Sequence, residues 1–155
     1  MTYEEVSKKM NSALTQLSPA DLPQFLAAHS MDFSSQPFAD YMRRKFREKG
    51  ISQKNVFIAA DLDNKTGYKL ISGEKHTLQR DIILRICLSA EFSLEETQEA
   101  LILYGMAPLH GRKRRDTAFI VALSNHIRDI HDVDAILREN DLPPFLTPEQ
   151  LAGEY

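Results

Sequence analysis

A chain of 155 residues, 43% hydrophobic and 26% charged, has the composition of an ordinary globular protein of one domain or slightly more. Its single cysteine, Cys87, cannot close an internal disulfide, which agrees with a reducing compartment, and a formal net charge of −3 argues against a protein that coats nucleic acid along its whole surface. No apolar stretch is long enough to span a bilayer and MTYEEVSKK carries no hydrophobic run behind its charges, so the expectation is a cytoplasmic protein with neither signal peptide nor transmembrane helix.

In chain order, Tyr3, Val6, Met10, Leu14 and Leu17 fall at three- and four-residue steps, which predicts an amphipathic helix over residues 1–17. Ser18 as N-cap and Pro19 at the first helical position open a second helix through Ala28. This pair needs a partner for its apolar face, either the central domain or a second copy. The segment SMDFSSQPF, residues 30–38, has the composition of a linker and marks a domain boundary. A helix over Phe38 to Lys49 follows, with Phe38, Tyr41, Met42 and Phe46 inward, Arg43, Arg44 and Arg47 outward, and Gly50 as its stop.

From Ile51 to Gly73 the pattern predicts two short helices joined by a tight turn. Ser52 caps the first, with Val56, Ala59 and Ala60 behind it at helical spacing. Asp61 or Asp63 caps the second, which runs from Asn64 to Ile71 with Leu62 and Leu70 inward and Gly73 as terminator. Asn64, Lys65, Thr66, Tyr68 and Lys69 then lie on or near the outer face. Amides, ammonium groups and hydroxyls so placed are what a helix needs to bond base edges and phosphates in a major groove. Gly67 lies inside this second helix at a cost of about 1 kcal/mol relative to Ala, and Glu74, just beyond it, would repel phosphate.

Glu74 to Gln79 reads as a polar loop, and Leu78 to Ala90 as a strongly apolar helix at the centre of the core, with Cys87 a buried packing residue. Ser93 and Glu96 have capping-box spacing and open a helix that runs to Tyr104, where Gly105 ends it and Pro108 prevents continuation. Further helices are predicted from Asp116 to His126 and from Asp132 to Glu139, and Pro143-Pro144 forbids helix beyond them. No alternating strand pattern, internal repeat or low-complexity tract is present, so the fold class is all-α.

Charge is distributed unevenly. Phe38 to Ala90 holds eleven Lys/Arg against six Asp/Glu, a balance of +5, whereas the segment before it is −2 and the segment after it −6. A basic middle between acidic ends is expected when one module contacts phosphates and its flanks do not; the alternative is a solvated charged surface.

Several of these residues carry a family resemblance: the run FADYMRRKFREKGIS, Gln53 after Ser52, the small Ala59 and Ala60 before the turn, the ISG closing the second helix, and the apolar run ending in SLEET. On them, Phe38 to about Ser93 resembles the helix-turn-helix domain of the Cro/repressor class, the xenobiotic-response-element type of bacterial and phage regulators. SLEETQEALILYGMAPLHGRKRRD is similar to an extension found in some regulators of this class, so that residues 38–142 map onto the pattern and residues 1–37 lie outside it. The resemblance implies a five-helix-type domain over 38–92, flanked by helical extensions over 1–37 and 93–155. It implies base contacts from Asn64, Lys65, Thr66, Tyr68 and Lys69, and phosphate contacts from Gln53, Lys54, Lys75 and His76. It also implies a homodimer that reads two half-sites of double-stranded DNA.

Other chemistry has little support. GRKRRD, residues 111–116, is the densest basic run; it fits either a DNA backbone or an acidic partner, but Arg115 and Asp116 also suit the start of a helix, paired with neighbouring charges. His29, His76, His110, His126 and His131 form no HxxxH pair, so no metal or cofactor is expected. No nucleophile elbow or phosphate-cradling glycine loop is present. The sequence therefore points to a sequence-specific DNA-binding transcriptional regulator, a repressor rather than an enzyme. The alternative is a protein-interaction adaptor, or an antitoxin-like partner protein, that keeps the helix-turn-helix fold with weak or no DNA binding.

Overall fold

The computed structural model describes residues 3–29, 36–145 and 147. Among these residues the regular structure is helical and contains no strand: α1 (Tyr3–Leu14), α2 (Leu22–Ala28), α3 (Pro37–Lys49), α4 (Gln53–Ala59), α5 (Asn64–Ser72), α6 (Arg80–Ser89), α7 (Leu94–Tyr104), α8 (Arg114–Ser124) and α9 (Ile130–Glu139). None of them is long and apolar enough to cross a membrane. Contacts divide the chain into two compact units, Met1–Ser35 and Gln36–Tyr155.

In the first unit, the segment predicted as one helix from Ser18 begins with a single 3-10 turn, Pro19–Asp21, before α2. The Asp21 carboxylate accepts hydrogen bonds from the Ser18 backbone N–H (3.1 Å) and hydroxyl (2.9 Å), closing that corner. Neither the turn nor α2 buries a residue, and Leu14, Leu22 and Leu26 are exposed. The linker predicted over residues 30–38 lies mostly outside the described residues, and its last two members, Pro37 and Phe38, already belong to α3.

The second unit is organised around α6. Every residue from Asp81 to Leu88 is buried, as a helix surrounded by others requires. Against it pack α4, α7 and α9, while α3 lies on α5 and α7. Phe38, Tyr41, Met42 and Phe46 of α3 are buried as their spacing predicts, and Arg43, Arg44 and Arg47 are exposed. Cys87 is fully buried, and that burial pushes its thiol pKa well above the ordinary value.

Six helices end in one geometry. Ile51, Leu62, Phe92, Met106, Ile127 and Leu142 each donate their N–H to the carbonyl five residues back, at 2.9 to 3.0 Å, across a residue with positive φ. Each is apolar, as the hydrophobic partner of this closure should be. Only two of these ends use glycine, Gly50 and Gly105; the other four place Asp61, Glu91, His126 and Asp141 at φ between 55 and 62°.

Three predicted helix starts move. Leu78 is 90% exposed and outside the central helix, which begins at Arg80: the Gln79 N–H is held by the Thr77 hydroxyl (3.0 Å) and the Thr77 N–H by the Tyr104 hydroxyl (2.8 Å), fixing a turn there. The helix expected over Asp116–His126 is α8, Arg114–Ser124, with His126 turned into the left-handed region. The last helix starts at Ile130 rather than Asp132, because the Asp129 side chain accepts from the His131 N–H (2.7 Å) and caps it.

Candidate nucleic-acid interface

The segment Ile51–Gly73 forms two helices, each with a local cap. The Ser52 hydroxyl accepts from the Asn55 N–H (3.2 Å) at the start of α4, and the Asp63 carboxylate accepts from the Thr66 N–H (3.2 Å) at the start of α5. Of the two aspartates that suit the second cap, Asp63 takes the role, while Asp61 supplies the positive φ between the helices.

Gly67 has a steric role here. A Cβ on it would lie 2.6 Å from the Phe57 ring, so only glycine lets α5 approach α4 this closely. Phe57 is fully buried and meets the Tyr68 ring edge to face at 5.1 Å. Gly67, Leu70 and Ile71 thus form the inner stripe of α5.

At 3.6 residues per turn, Asn64, Lys65, Tyr68, Lys69 and Ser72 occupy about 140° of arc on the other side. Lys65 and Tyr68 are exposed, and Asn64, Lys69 and Ser72 are half-buried. Thr66 falls off this arc, and its hydroxyl lies 3.4 Å from the Asp63 carboxylate, at the cap. Four of the five residues expected at base edges therefore share a face, and Thr66 does not. Ser72, which sequence reasoning passed over, completes the stripe, but its hydroxyl donates to the Lys69 carbonyl (3.2 Å) and accepts from the Glu74 N–H (3.4 Å). The period of the helix was the signal that could have found it.

The residues expected at phosphates lie at the start of α4 and in the segment after α5. Lys54 is exposed on the first turn of α4 and Gln53 half-buried beside it. Lys75 is exposed, with its N–H bonded to the Lys69 carbonyl (3.1 Å). His76 stacks flat on Tyr104, with ring centroids 4.4 Å apart and planes 5° from parallel, so α7 fixes its position. Glu74 lies 3.9 Å from the Lys69 ammonium and, largely exposed, gives that lysine a loose local counter-charge.

The other basic stretch divides in two. Arg115 makes a two-pronged pair with Asp81 at 2.6 and 2.9 Å, and Arg80 pairs with Asp116, so neighbouring Arg-Asp dipeptides at the starts of α6 and α8 clasp each other. Lys45 and Lys49 of α3 likewise turn inward to Glu96, at 3.1 and 2.9 Å. Burial pushes the Glu96 pKa up, but the Ser93 N–H and the two ammonium groups outweigh it and bring the carboxyl down to about 2.

Among the described residues no group of three or more His, Cys, Asp and Glu could hold a metal ion. Compared with family models, curated proteins and solved structures, the chain matches none of them.

Proposed function

We propose that this protein is a sequence-specific DNA-binding regulator in which α4 and α5 act as a helix-turn-helix of the Cro/repressor kind, with α5 entering the major groove. The observation that carries the reading is the outer face of α5, where Asn64, Lys65, Tyr68 and Lys69 stand together while Gly67 against Phe57 and the Asp63 cap hold the helix from behind. Amide, ammonium and phenol groups on one face are donors and acceptors suited to base edges, each good pair being worth about 1–3 kcal/mol of discrimination. Lys54, Gln53, Lys75 and His76 flank that face as phosphate contacts, which supply affinity and its salt dependence. The Thr66 hydroxyl lies off that face, beside the Asp63 cap. A homodimer presents two copies of α5 to half-sites one helical turn apart.

Selection from random duplexes, followed by salt titration of the best site, tests the reading. Specific binding that weakens steeply with salt and is lost in Lys65→Ala combined with Lys69→Ala supports it; no enriched sequence at low salt refutes it. A second reading, a protein-interaction adaptor, draws on the exposed apolar Ile58, Leu78, Ile102 and Val121. It predicts that no duplex is enriched.

A further inference from the structure

The segment after α9 is bound to the body of the second unit by hydrogen bonds and ring contacts. The Arg115 guanidinium donates to the Pro143 carbonyl (2.8 Å) and the Pro144 carbonyl (3.1 Å), and the Asp134 carboxylate accepts from the Phe145 N–H (2.7 Å). The Phe145 ring, 5% exposed, meets Phe119 at 5.4 Å and lies over the Arg85 guanidinium at 5.0 Å. Arg85 is itself 5% exposed, and its Nη1 donates to the Ala60 carbonyl at 3.1 Å. Ala60 is the last residue of the α4 cap, three before the Asp63 that starts α5. A contiguous series of contacts therefore runs from Phe145 through one buried cation to the turn between α4 and α5.

We propose that Arg85 is a positioning residue for α5 and that Phe145 seats it, which makes the Leu142–Phe145 segment a strap whose hold on the body sets how firmly the turn before α5 is fixed. The physical reason lies in the geometry of the guanidinium. A planar cation held between an aromatic face and a carbonyl has its direction fixed at both ends. Losing the ring removes one of the contacts that set the guanidinium's direction, and its bond to Ala60 weakens. The Ala60 carbonyl lies at the helix end, where carbonyls lack an intrahelical donor, so the Arg85 bond ties the turn at that atom. The effect on DNA rests on the function proposed above, whereas the positioning of the turn does not.

A double-mutant cycle on the full chain tests the proposal, reading amide hydrogen exchange at Leu62 and Gly67 against Ala100 and Leu101 of α7 as internal reference. Phe145→Leu keeps an apolar side chain and the backbone bond to Asp134 but removes the ring; Arg85→Met removes the cation; Phe145→Tyr keeps the ring. In each of the first two variants, protection at Leu62 and Gly67 should fall about tenfold relative to α7, within the coupling range of contacting residues, and the double variant should fall no further than Arg85→Met alone. Phe145→Tyr should match the parent. Equal loss of protection in all four amides, or additive losses in the double variant, overturns the proposal by making Phe145 a simple packing residue. Affinity for the selected duplex should fall in step, with an unchanged salt slope because no phosphate contact is removed. A parent chain that binds no duplex defeats the DNA reading alone, and the exchange cycle still decides the role of Arg85.

Discussion

Two basic stretches singled out in the sequence are handled differently by the fold. On α5, Lys65 and Tyr68 stand exposed beside Asn64 and Lys69, and the buried stripe behind them is built from glycine, leucine and isoleucine. In Gly111–Asp116 the denser charge is divided: Arg115 and Asp116 are drawn into the clasp with Asp81 and Arg80, and Arg112, Lys113 and Arg114 stay on the surface. The lesson is that charge density along a chain does not measure charge offered to a partner. What decides is whether an opposite charge from elsewhere in the fold reaches the same place, and here Asp81 reaches Arg115 from 34 residues away.

The strongest way to break this comparison is Arg115→Ala. It strands the buried Asp81 carboxylate and releases the Pro143 and Pro144 carbonyls, so a loss of about 3–5 kcal/mol in denaturant unfolding is expected, against less than about 0.5 kcal/mol for the exposed Lys65→Ala. Similar costs for the two would show that the clasp is no more than a surface pair.

The second test concerns Lys45 and Lys49, basic residues that also face inward. Because the folded Glu96 pKa is depressed to about 2 from 4.5, its contribution is fully present above the unfolded value and is lost as pH falls through the folded one. Acid titration of unfolding should show up to about 3 kcal/mol disappearing between roughly pH 5 and 2, with Glu96→Gln flattening that part of the curve.

A smaller effect isolates the back of α5. Gly67→Ala gains about 1 kcal/mol of helix propensity, yet it sets a methyl 2.6 Å from the Phe57 ring, so a net loss of about 1–3 kcal/mol is expected from thermal or denaturant unfolding. A stabilised variant would mean that the two helices can separate without loss.

The smallest expected change sharpens the front of α5. Glu74→Gln removes the loose counter-charge at Lys69 and should leave stability within about 0.5 kcal/mol while raising affinity for the selected duplex and steepening its salt dependence. Unchanged binding would place Lys69 outside the contact.

Much of the fold was legible because its signals are local. Ser52, Asp63 and Ser93 cap their helices through bonds spanning three residues, so a short window contains the whole interaction. Gly50 and Gly105 mark ends by a conformation that favours glycine. The displaced start of α6 was less legible because Tyr104 holds Thr77 from 27 residues away, and the helix ends at Asp61, Glu91, His126 and Asp141 use side chains that do not advertise a positive φ; the start of α9 had a local signal in the Asp129 cap. At the candidate interface, helical period put Asn64, Lys65, Tyr68 and Lys69 on one side. It did not assign Gly67, whose reason is a ring on another helix.

The sequence by itself determined an all-helical chain, most of its helix ends, a buried Cys87 and an α5 with a polar outer face, because spacing and caps act within a few residues. Only the tertiary structure decided which charges remain available, why residue 67 is glycine, and that Phe145 meets Arg85 behind the turn to α5. Those outcomes depend on contacts between segments tens of residues apart, where an ion pair or a ring contact forms only after the helices have packed.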